Sequence, residues 1–379
     1  MKLKSWHIWD FPDNLYVLIK KEMREEFFQT MYKKFGSQKN YAKFLGKERS
    51  VVQGYHYARY WYKGKISTKF TPINILKQSL KYINIKLKKK IENNIISIKG
   101  KGGDEIYQPK LPIKESPKFY KIVAHLIGDG NDSHSPYYSN TCDNLIEDFK
   151  KDIQIFGKIK CRDNINQQNV KYTNFTKTIT YILSYILYIK FTRPNKIPER
   201  LFVTSNSCKA YFLQALFDDE GSISTNLSFC MKNYNIIREV KKLIESLDIK
   251  TTKISLKKEK LGNKSYAFNI NNSSITTFKE RINFIHPEKY RKLNIRLKII
   301  ERNKEQRTRP LEWSRNEILN LLESKPRGTL ELCENLLLTV NGLYEHLNYL
   351  EEKGLIKRTG YKNKVIWEVN QGRNHFISQ

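Results

Sequence analysis

Residues 122–130 read IVAHLIGDG, and residues 213–221 read LQALFDDEG. Each stretch is an apolar helical turn that closes on an acid followed by glycine. A carboxylate at the C-terminal end of a helix is mildly unfavourable, because the helix dipole is negative there, yet a single case with a capping glycine is common. Two such endings at corresponding places in one chain indicate a function.

The chain around these two stretches repeats one order of elements. From about residue 118 to residue 293 the pattern runs apolar helix, two strands, amphipathic helix, two strands, helix, and it does so twice. The amphipathic helices are predicted at 143–156 and 233–247, with apolar side chains at helical spacing in both. We infer an internal duplication and an α+β domain at 118–305, with halves at about 118–196 and 197–305.

Basic side chains alternate with apolar ones in a predicted strand of each half. The period of two places cations or hydroxyls on one face and apolar side chains on the other. The expected DNA-facing residues are Lys158, Lys160, Arg162, Lys253, Ser255 and Lys257, opposite Ile159, Cys161, Ile254 and Leu256. A solvated sheet face is the default interpretation for one strand, but two matching strands favour a face that neutralises phosphates and reaches base edges.

Small residues in the two apolar helices predict close packing. Ala124 and Gly128 are four residues apart and form a small stripe, and Ala215 has the same effect in the second helix. Helices packed side by side on these stripes would bring Asp129 and Glu220 together. Two neighbouring carboxylates require a cation, and oxygen ligands select Mg²⁺, with Mn²⁺ as a substitute.

The two acid-Gly helices resemble the paired motifs of the LAGLIDADG homing endonucleases, and the second motif is the closer match. Residues 197–199 (IPE) and 282–289 (INFIHPEK) also resemble stretches of archaeal members, so the similarity covers about half of the chain. The resemblance implies two antiparallel sheets that form a DNA-binding saddle, and two metal sites that serve opposite strands. It also implies that the backbone carbonyls of Gly128 and Asp219 assist Asp129 and Glu220 as metal ligands.

Three positions depart from the family motif. His125 and Ile127 replace an apolar and an acidic residue of the first motif, and Asp219 stands where a small residue is common. Neither metal-binding acid is affected. The family also implies a catalytic lysine near the metals, and the candidates are Lys158, Lys160, Lys232 and Lys257, of which Lys232 and Lys257 are preferred. The alternative role for each lysine is a phosphate contact.

The charge of the chain implies a polyanionic partner. Of 379 residues, 69 are Lys or Arg and 38 are Asp or Glu, which leaves a net charge of +31. An AT-rich genome would explain abundant lysine, but not the shortage of acids, so double-stranded DNA is the expected partner. No apolar run is long enough to cross a bilayer, no signal-peptide core is present, and the five scattered cysteines indicate neither disulfides nor zinc. We expect a monomer inside the cell, in the cytoplasm or nucleoid.

Residues 1–98 are predicted to form a helical domain of the helix-turn-helix kind. Residues 13 to about 95 have a helical pattern, and residues 36–46 supply a cap, a short helix and a glycine stop before a second helix. That arrangement resembles the Cro/repressor motif, in which Arg49 and Gln53 would enter the major groove. An ordinary helical hairpin is the alternative. The glycines and prolines of 99–117 predict a linker.

The end of the chain, at 308–372, is predicted to be a winged helix. Helices at 314–322, 329–335 and 340–353 precede a hairpin of 355–359 and 365–369. Wing residues Arg358, Lys362 and Lys364 would then contact DNA. Because Glu345, Glu351 and Glu352 on the third helix would repel phosphate, a protein-binding winged helix is the alternative.

These features together predict a site-specific endonuclease of the homing type that cuts double-stranded DNA with Mg²⁺. Flanking helix-turn-helix and winged-helix modules would add DNA contacts. One alternative is a LAGLIDADG-derived transcription regulator that binds DNA without cutting it. A second alternative is an intron RNA maturase, which the accessory DNA-type modules make less favourable.

Overall fold

The structure is a computed structural model that describes residues 3–57, 61–62, 65–66, 70–101, 104–132, 135–258, 264–305, 310–360 and 365–370. The chain divides into two compact units, Met1–Asp219 and Glu220–Gln379. Among the described residues, no helix combines the length and the apolar character that a membrane crossing requires.

The N-terminal region contains the predicted helix-turn-helix elements. Its helices are α1 (Lys21–Lys34), α2 (Gln38–Phe44), α3 (Arg49–Tyr57), α4 (Ile73–Ser79) and α5 (Ile85–Asn93). The Ser37 side chain caps α2 by accepting a hydrogen bond from the Asn40 backbone N–H at 3.1 Å. Gly46 has φ of +62°, which glycine adopts without steric cost, and it provides the turn before α3. The cap and the glycine stop predicted from the sequence are both present.

Strands interrupt the region that the sequence predicted as helical. They are β1 (Ser5–Trp6), β2 (Tyr16–Ile19), β3 (Trp61–Tyr62), β4 (Lys65–Ile66), β5 (Thr71–Pro72), β6 (Ile95–Lys99), β7 (Ile106–Tyr107) and β8 (Ile113–Lys114). A four-stranded sheet has the order β5-β2-β6-β7. The prediction of helix from residue 13 onward is wrong at β2, where Val17 and Ile19 alternate with partly buried residues. Four residues are too few for their period to be distinguished from a helical turn.

Residues 99–117, predicted as a linker, are packed on both sides. β7 pairs with β6, and β8 pairs with β1. Tyr107 and Lys158 exchange backbone hydrogen bonds, which join the segment to the domain that follows. The glycines and prolines make the segment irregular without detaching it, because Ile106 and Ile113 are buried. The domain bounds themselves stay a prediction.

The first acid-Gly helix opens the predicted first half. The elements of this half are α6 (Pro117–Ile127), β9 (Gly130–Asn131), β10 (Tyr137–Asn140), α7 (Asp143–Asp152), β11 (Arg162–Ile165), β12 (Lys171–Asn174) and α8 (Lys177–Leu187). Ser116 caps α6 by accepting from the Phe119 N–H, and Pro117 occupies its first turn. Every residue from Phe119 to Ile127 is buried, including the polar residues Lys121 and His125, so this stretch of the helix is enclosed by other parts of the protein.

The second half repeats this order. Its elements are α9 (Asn206–Glu220), β13 (Gly221–Ile223), β14 (Leu227–Met231), α10 (Tyr234–Glu245), β15 (Ser255–Lys258), β16 (Lys264–Asn269) and α11 (Ile275–Arg281). The two antiparallel sheets have matching orders, β9-β10-β12-β11 and β13-β14-β16-β15. Gly130 pairs with Tyr138 in the first sheet, and Gly221 pairs with Phe229 at the same register in the second. The α+β fold with antiparallel sheets is confirmed.

The last part of the chain packs on a long helix of the second half. The elements are α12 (Pro287–Glu305), α13 (Leu311–Ser324), β17 (Arg327–Gly328), α14 (Thr329–Leu336), α15 (Val340–Glu352), β18 (Ile356–Thr359) and β19 (Ile366–Val369). The three helices and the hairpin agree with the prediction. Ile295 and Ile299 of α12 belong to the same apolar core as Leu332 and Trp367. Arg302 also donates hydrogen bonds to the carbonyl oxygens of Leu336 and Leu337.

Candidate catalytic site and nucleic-acid interface

The acid-Gly helix α6 ends in very close contact with α9. A Cβ built on Gly128 would lie 2.8 Å from Oδ2 of Asp219 and 2.9 Å from its Cβ. Only a glycine leaves room for the Asp219 side chain at this point. The structure thus brings together three of the predicted site residues, Gly128, Asp129 and Asp219, at the end of α6.

The Asp219 carboxylate lies at the centre of a buried hydrogen-bond cluster. Tyr138 Oη donates to Asp219 Oδ1 at 2.7 Å, and Asn140 Nδ2 reaches the same oxygen at 3.3 Å. His125 Nδ1 lies 3.0 Å from Asp219 Oδ2. The Asp219 side chain is 0% exposed, so these donors replace the water that it has lost. His125 and Asp219, two of the departures from the family motif, are therefore partners of each other.

His125 is neutral in this cluster. Burial, with the charge of Lys121 as the next cause, lowers the pKa of His125 to about 4. A carboxylate can only accept, so the imidazole proton is on Nδ1 and the contact with Asp219 is a charge-assisted hydrogen bond. Burial and the nearby Asp219 also raise the pKa of the Tyr138 hydroxyl well above its ordinary value, which keeps it a donor.

Asn140 connects this cluster to Asp129. Its Nδ2 donates to Asp129 Oδ2 at 3.1 Å. The backbone N–H and the Oγ of Ser139 both donate to the Asp129 carbonyl oxygen, at 3.3 and 3.2 Å. Strand β10 thus holds both the backbone and the side chain of Asp129. The sequence did not identify Tyr138 and Asn140 as site residues. Their position beside Asp129 depends on the pairing of β10 with β9, in which Tyr138 lies opposite Gly130.

The second acid, Glu220, ends α9 and is the first residue of the second unit. Its predicted proximity to Asp129 stays a prediction. Within the described residues, no group of three or more His, Cys, Asp and Glu side chains is gathered as a metal site. Lys232 is exposed directly after β14, and Lys257 lies on β15 opposite Ser265. The assignment of a catalytic lysine also stays a prediction.

Of the three cations predicted for a strand of the first half, only Arg162 lies on the first sheet, and the prediction is wrong for Lys158 and Lys160. Lys158, Lys160 and Arg162 are exposed while Ile159 is buried, so the predicted alternation of exposure is present. The strand β11 begins only at Arg162, whose guanidinium pairs with Asp104 at 2.8 Å. Lys158 instead forms an isolated bridge with Tyr107.

The open face of the first sheet is rich in amide and hydroxyl groups, which the lysine pattern did not predict. Tyr138 on β10 and Thr173 on β12 are buried on one face of the sheet. Their neighbours along each strand point to the opposite, open face. That face carries Tyr137, Ser139, Arg162, Asn164, Tyr172 and Asn174. Asn164 donates to Asn174 Oδ1 at 2.9 Å across the strands. Amides of this kind are suited to reading adenine edges in a major groove.

The second sheet differs in part from the prediction. Lys253, Ser255 and Lys257 are exposed, as expected. Leu256, predicted to face the core, is 49% exposed, because β15 is the edge strand of its sheet. The open face at β13 and β14 carries small polar groups, and Ser222 and Ser228 form a hydrogen bond of 2.7 Å between their hydroxyls.

In the N-terminal helices, Gln38 joins the two predicted DNA-binding residues. Arg49 Nε and Gln53 Nε2 both donate to Gln38 Oε1, at 3.1 and 3.0 Å. Arg49 is exposed and Gln53 is half-buried. The structure therefore brings Arg49 and Gln53 together on the exposed start of α3, beside α2.

In the C-terminal region, Arg358 pairs with Glu351 at 3.3 Å, and the neighbouring Lys357 pairs with Glu368 at 3.2 Å. Lys362 and Lys364, also predicted to contact DNA, lie outside the described residues. Of the acids that the sequence identified on the third helix, Glu351 thus neutralises a cation of the adjacent hairpin, while Glu368 belongs to the hairpin itself.

Two regions of the chain match known families. Residues 207–283 match the family described as LAGLIDADG-like domain. Residues 314–358 match the family described as bacterial regulatory protein, arsR family. The LAGLIDADG-like match begins within α9, so it covers the second of the two acid-Gly helices and the sheet that follows. No curated protein matches this sequence.

Three solved structures each resemble less than half of the chain. I-DmoI in complex with DNA and Mn is 16% identical, with 44% of this chain and 96% of that chain covered and a TM-score of 0.36. The N-terminal LAGLIDADG domain of WhiA is 13% identical, covering 46% and 86%, with a TM-score of 0.33. The homing endonuclease I-WcaI bound to its DNA recognition sequence is 16% identical, covering 47% and 85%, with a TM-score of 0.32.

Proposed function

We propose that this protein is a metal-dependent endonuclease that cuts double-stranded DNA at a long specific site. The observation that carries the proposal is the end of α6. There a helix-terminal acid, Asp129, is held by Asn140 beside a second carboxylate, Asp219, in a chain with a net charge of +31. A carboxylate such as Asp129 near DNA phosphates benefits a protein that binds a metal in order to cut DNA, and it burdens a protein that only binds DNA.

The oxygen atoms proposed as ligands at this site suit Mg²⁺ or Mn²⁺. Asp129 and Glu220 are the proposed carboxylate ligands, and the carbonyls of Gly128 and Asp219 are the proposed backbone ligands. Mg²⁺ is usually bound by one or two carboxylates together with substrate phosphates, so a cage of three or more acids is not required. When bound, the metal supplies a Lewis acid that activates water and stabilises the leaving oxygen.

The side chains of the protein are proposed to bind the metal, stabilise charge and contact DNA. Asp129 and Glu220 would hold the metal. Lys232 or Lys257 polarises water or neutralises developing charge. The exposed cations Lys158, Lys160, Arg162, Lys253 and Lys257 contact phosphates, while Ser255 and the amides of the first sheet reach base edges.

The accessory modules add contacts outside the central domain. Arg49 and Gln53 on α3 are proposed to enter a major groove, and Arg358, Lys362 and Lys364 to contact the backbone beside it. Both acid-Gly helices occur in one chain, so we propose a monomer that acts on DNA inside the cell.

The test is Mg²⁺-dependent cleavage of a plasmid library of genomic or randomised fragments, with sequencing of the ends produced. We expect discrete double-strand cuts from the natural protein. The Asp129→Asn and Glu220→Gln variants should cut at least 100-fold more slowly while their duplex affinity stays within a few-fold, because the acids bind the metal and not the DNA. Loss of duplex affinity in either variant would contradict their assignment as metal ligands.

A DNA-binding regulator is the second candidate function. The observation that favours it is the match of residues 314–358 to a family of regulatory proteins. Tight binding to a discrete duplex site with no cut in the presence of Mg²⁺ or Mn²⁺ would favour the regulator. Preference for structured RNA over duplex DNA would instead favour the maturase.

A further inference from the structure

Helix α8 and the residues that end it expose only tyrosines and lysines. Between residues 177 and 190 the exposed side chains are Lys177, Tyr181, Tyr185, Tyr188 and Lys190, and every aliphatic side chain is buried. Tyr181 and Tyr185 are four residues apart and so lie on the same face of the helix, and Tyr188 follows at its end. The three tyrosines, here called the tyrosine surface, are 38%, 46% and 79% exposed.

Tyr188 has a backbone conformation that a tyrosine rarely adopts. Its φ is +54° and its ψ is +41°, and its backbone N–H donates to the Ser184 carbonyl oxygen as α8 ends. Glycine is the usual residue at such a position, because a side chain there crowds the carbonyl oxygen that follows. A tyrosine at this point costs stability, and a ring that is 79% exposed gains little from packing. The fold therefore does not account for Tyr188, which points to a function for its ring.

The sequence around the tyrosine surface is basic. The stretch from Asn164 to Pro198 contains no Asp or Glu and five cations, which are Lys171, Lys177, Lys190, Arg193 and Lys196. Lys171 and Lys196 pair with acids from outside this stretch, whereas Lys177, Lys190 and Arg193 are exposed. Lys77 of α4 adds an ammonium group 5.6 Å from the centre of the Tyr185 ring, although it also pairs with Asp13. A ligand of this surface should therefore carry negative charge.

Exposed rings beside exposed cations suit single-stranded nucleic acid. The faces of unpaired bases stack on tyrosine rings, and lysines neutralise the phosphates. The bases of a duplex are already stacked on one another, so a duplex offers no such faces to the tyrosines.

Two other occupants fit this surface less well. A second copy of the chain would bring the Lys177, Lys190 and Arg193 side chains of both copies together, and like charges repel. A membrane surface would require aliphatic side chains that can enter it, but those of α8 are buried in the protein.

We propose that Tyr181, Tyr185 and Tyr188 form a binding site for single-stranded nucleic acid, in which bases stack on the rings while Lys177 and Lys190 contact phosphates. Every base has a face that can stack, so the site should accept many sequences. Single-stranded DNA and single-stranded RNA share this chemistry. None of these residues belongs to the proposed machinery for binding and cutting duplex DNA, so the inference goes beyond the proposed function and does not depend on it.

The first measurement locates the site by photochemical cross-linking to the full chain. Trypsin cleaves after Lys177 and Lys190, so all three tyrosines fall within one peptide, residues 178–190. The probes are oligothymidylate and oligouridylate of about 12 nucleotides, a length that one single-strand site can cover, each carrying one iodouracil. An excess of mixed-sequence duplex occupies the duplex-binding surfaces. We expect mass spectrometry to find the cross-link in peptide 178–190, and the probe that binds more tightly identifies DNA or RNA as the preferred strand.

The second measurement removes the rings. Tyr188→Gly should weaken binding of the same probes by at least about 5-fold, the lower end of the effect of losing one base–aromatic stack. Because glycine relieves the backbone strain, the midpoint of thermal unfolding should stay equal or rise. Tyr181→Ala combined with Tyr185→Ala should also weaken binding. Tyr188→Phe is the matched control, since it keeps the ring and should bind as the natural protein does. Fluorescence anisotropy measures these affinities, and the affinity for duplex should be the same in all variants.

Two results would overturn the inference. One is a set of cross-links confined to other peptides, together with unaltered single-strand affinity in Tyr188→Gly. The other is a change in the sedimentation coefficient of Tyr188→Gly without a change in probe affinity, which would assign the tyrosines to association with a second copy of the chain. Failure of the proposed function, in which the natural protein makes no cut in duplex DNA, would leave both measurements unaffected.

Discussion

Single residues at the end of α6 leave almost no free space. The Asp219 side chain occupies the space that a side chain at position 128 would need. Gly130 is equally restricted, since a Cβ there would lie 2.5 Å from the Cα of Leu126. The two glycines of the first motif therefore serve packing as well as chain reversal.

Gly128→Ala is expected to destabilise the protein by about 1–3 kcal/mol, the usual cost of forcing an extra group into a packed site. Its methyl group would displace the Asp219 carboxylate from its donors. Gly100→Ala is the matched control, because a Cβ at Gly100 would meet Thr178 and Leu15 at ordinary distances of 3.7 and 3.9 Å. Urea unfolding of both variants measures the difference. An equal effect at the two positions would contradict the tight contact at Gly128.

Glu115 shows how one buried acid makes stability depend on pH. Burial raises its pKa, but hydrogen bonds from Arg200, the Lys4 N–H and Tyr120 outweigh burial and hold the pKa below its ordinary value. A depressed pKa contributes stability above the unfolded pKa of about 4.3, and that stability is lost as pH falls through the folded value.

Glu115→Gln should therefore lower the free energy of unfolding at pH 7 by about 1–3 kcal/mol, since it weakens several buried hydrogen bonds. The difference from the natural protein should shrink near pH 3. Glu199→Gln is the control, because the Glu199 side chain is 85% exposed and pairs only at the surface with Lys196. Denaturation at the two pH values tests this, and a constant difference would contradict the assignment.

At the scale of elements, helix α12 packs against both the second half and the C-terminal module. It contacts β13 of the second half, and its Ile295 and Ile299 complete the core of the C-terminal module. Arg291 on the same helix pairs with Glu334 of α14 at 2.6 Å. Truncation before α13 would leave these isoleucines exposed, so the C-terminal module cannot be removed without harm to the second half.

Ile299→Ala should cost about 2–4 kcal/mol, because it leaves a cavity in this shared core. Ile366→Ala makes the same chemical change on β19, where the side chain is 44% exposed, and should cost less than about 1 kcal/mol. The midpoints of urea unfolding distinguish the two variants. A small effect at Ile299 would mean that α12 and the module are held together by other contacts.

The elements also indicate which features the sequence could predict. Three features were predictable from the sequence: the repeat, the acid-Gly helices, and the C-terminal helices with their hairpin. In each of them the spacing of apolar residues recurs over several helical turns or several strands. β2, only four residues long, was missed because its period is too short to recognise. The Asp219 cluster was missed for another reason. His125, Asn140 and Asp219 are far apart in sequence, and only the packing of α6, β10 and α9 makes them partners.

At the scale of the whole molecule, charge is unevenly distributed along the chain. Residues 311–379 contain nine basic and nine acidic side chains, so residues 1–310 account for the full net charge of +31. Association with DNA phosphates releases counterions in proportion to the cations engaged. The electrostatic part of binding is therefore expected to come from the N-terminal and central regions.

Replacement of Lys158 and Lys160 by Gln should reduce the slope of log affinity against log salt by about 2, close to one per lost phosphate contact. The same replacement of Lys357 and Arg358 should change the slope much less, because these cations already pair with Glu368 and Glu351. Fluorescence anisotropy at several salt concentrations measures the slopes. Equal losses would show that the C-terminal hairpin contacts the DNA backbone as strongly as Lys158 and Lys160 do.

The cluster of His125, Tyr138, Asn140 and Asp219 also has a consequence for the history of this chain. A change at any one member leaves a buried polar group without its partner, so substitutions at these four positions are tolerated only in combination. Natural variation should therefore show the four residues inherited as a block, either all polar or all apolar. Substitutions at the protein surface would not alter these four residues. The four residues together would therefore distinguish lineages of this protein for longer than the acid-Gly motifs themselves.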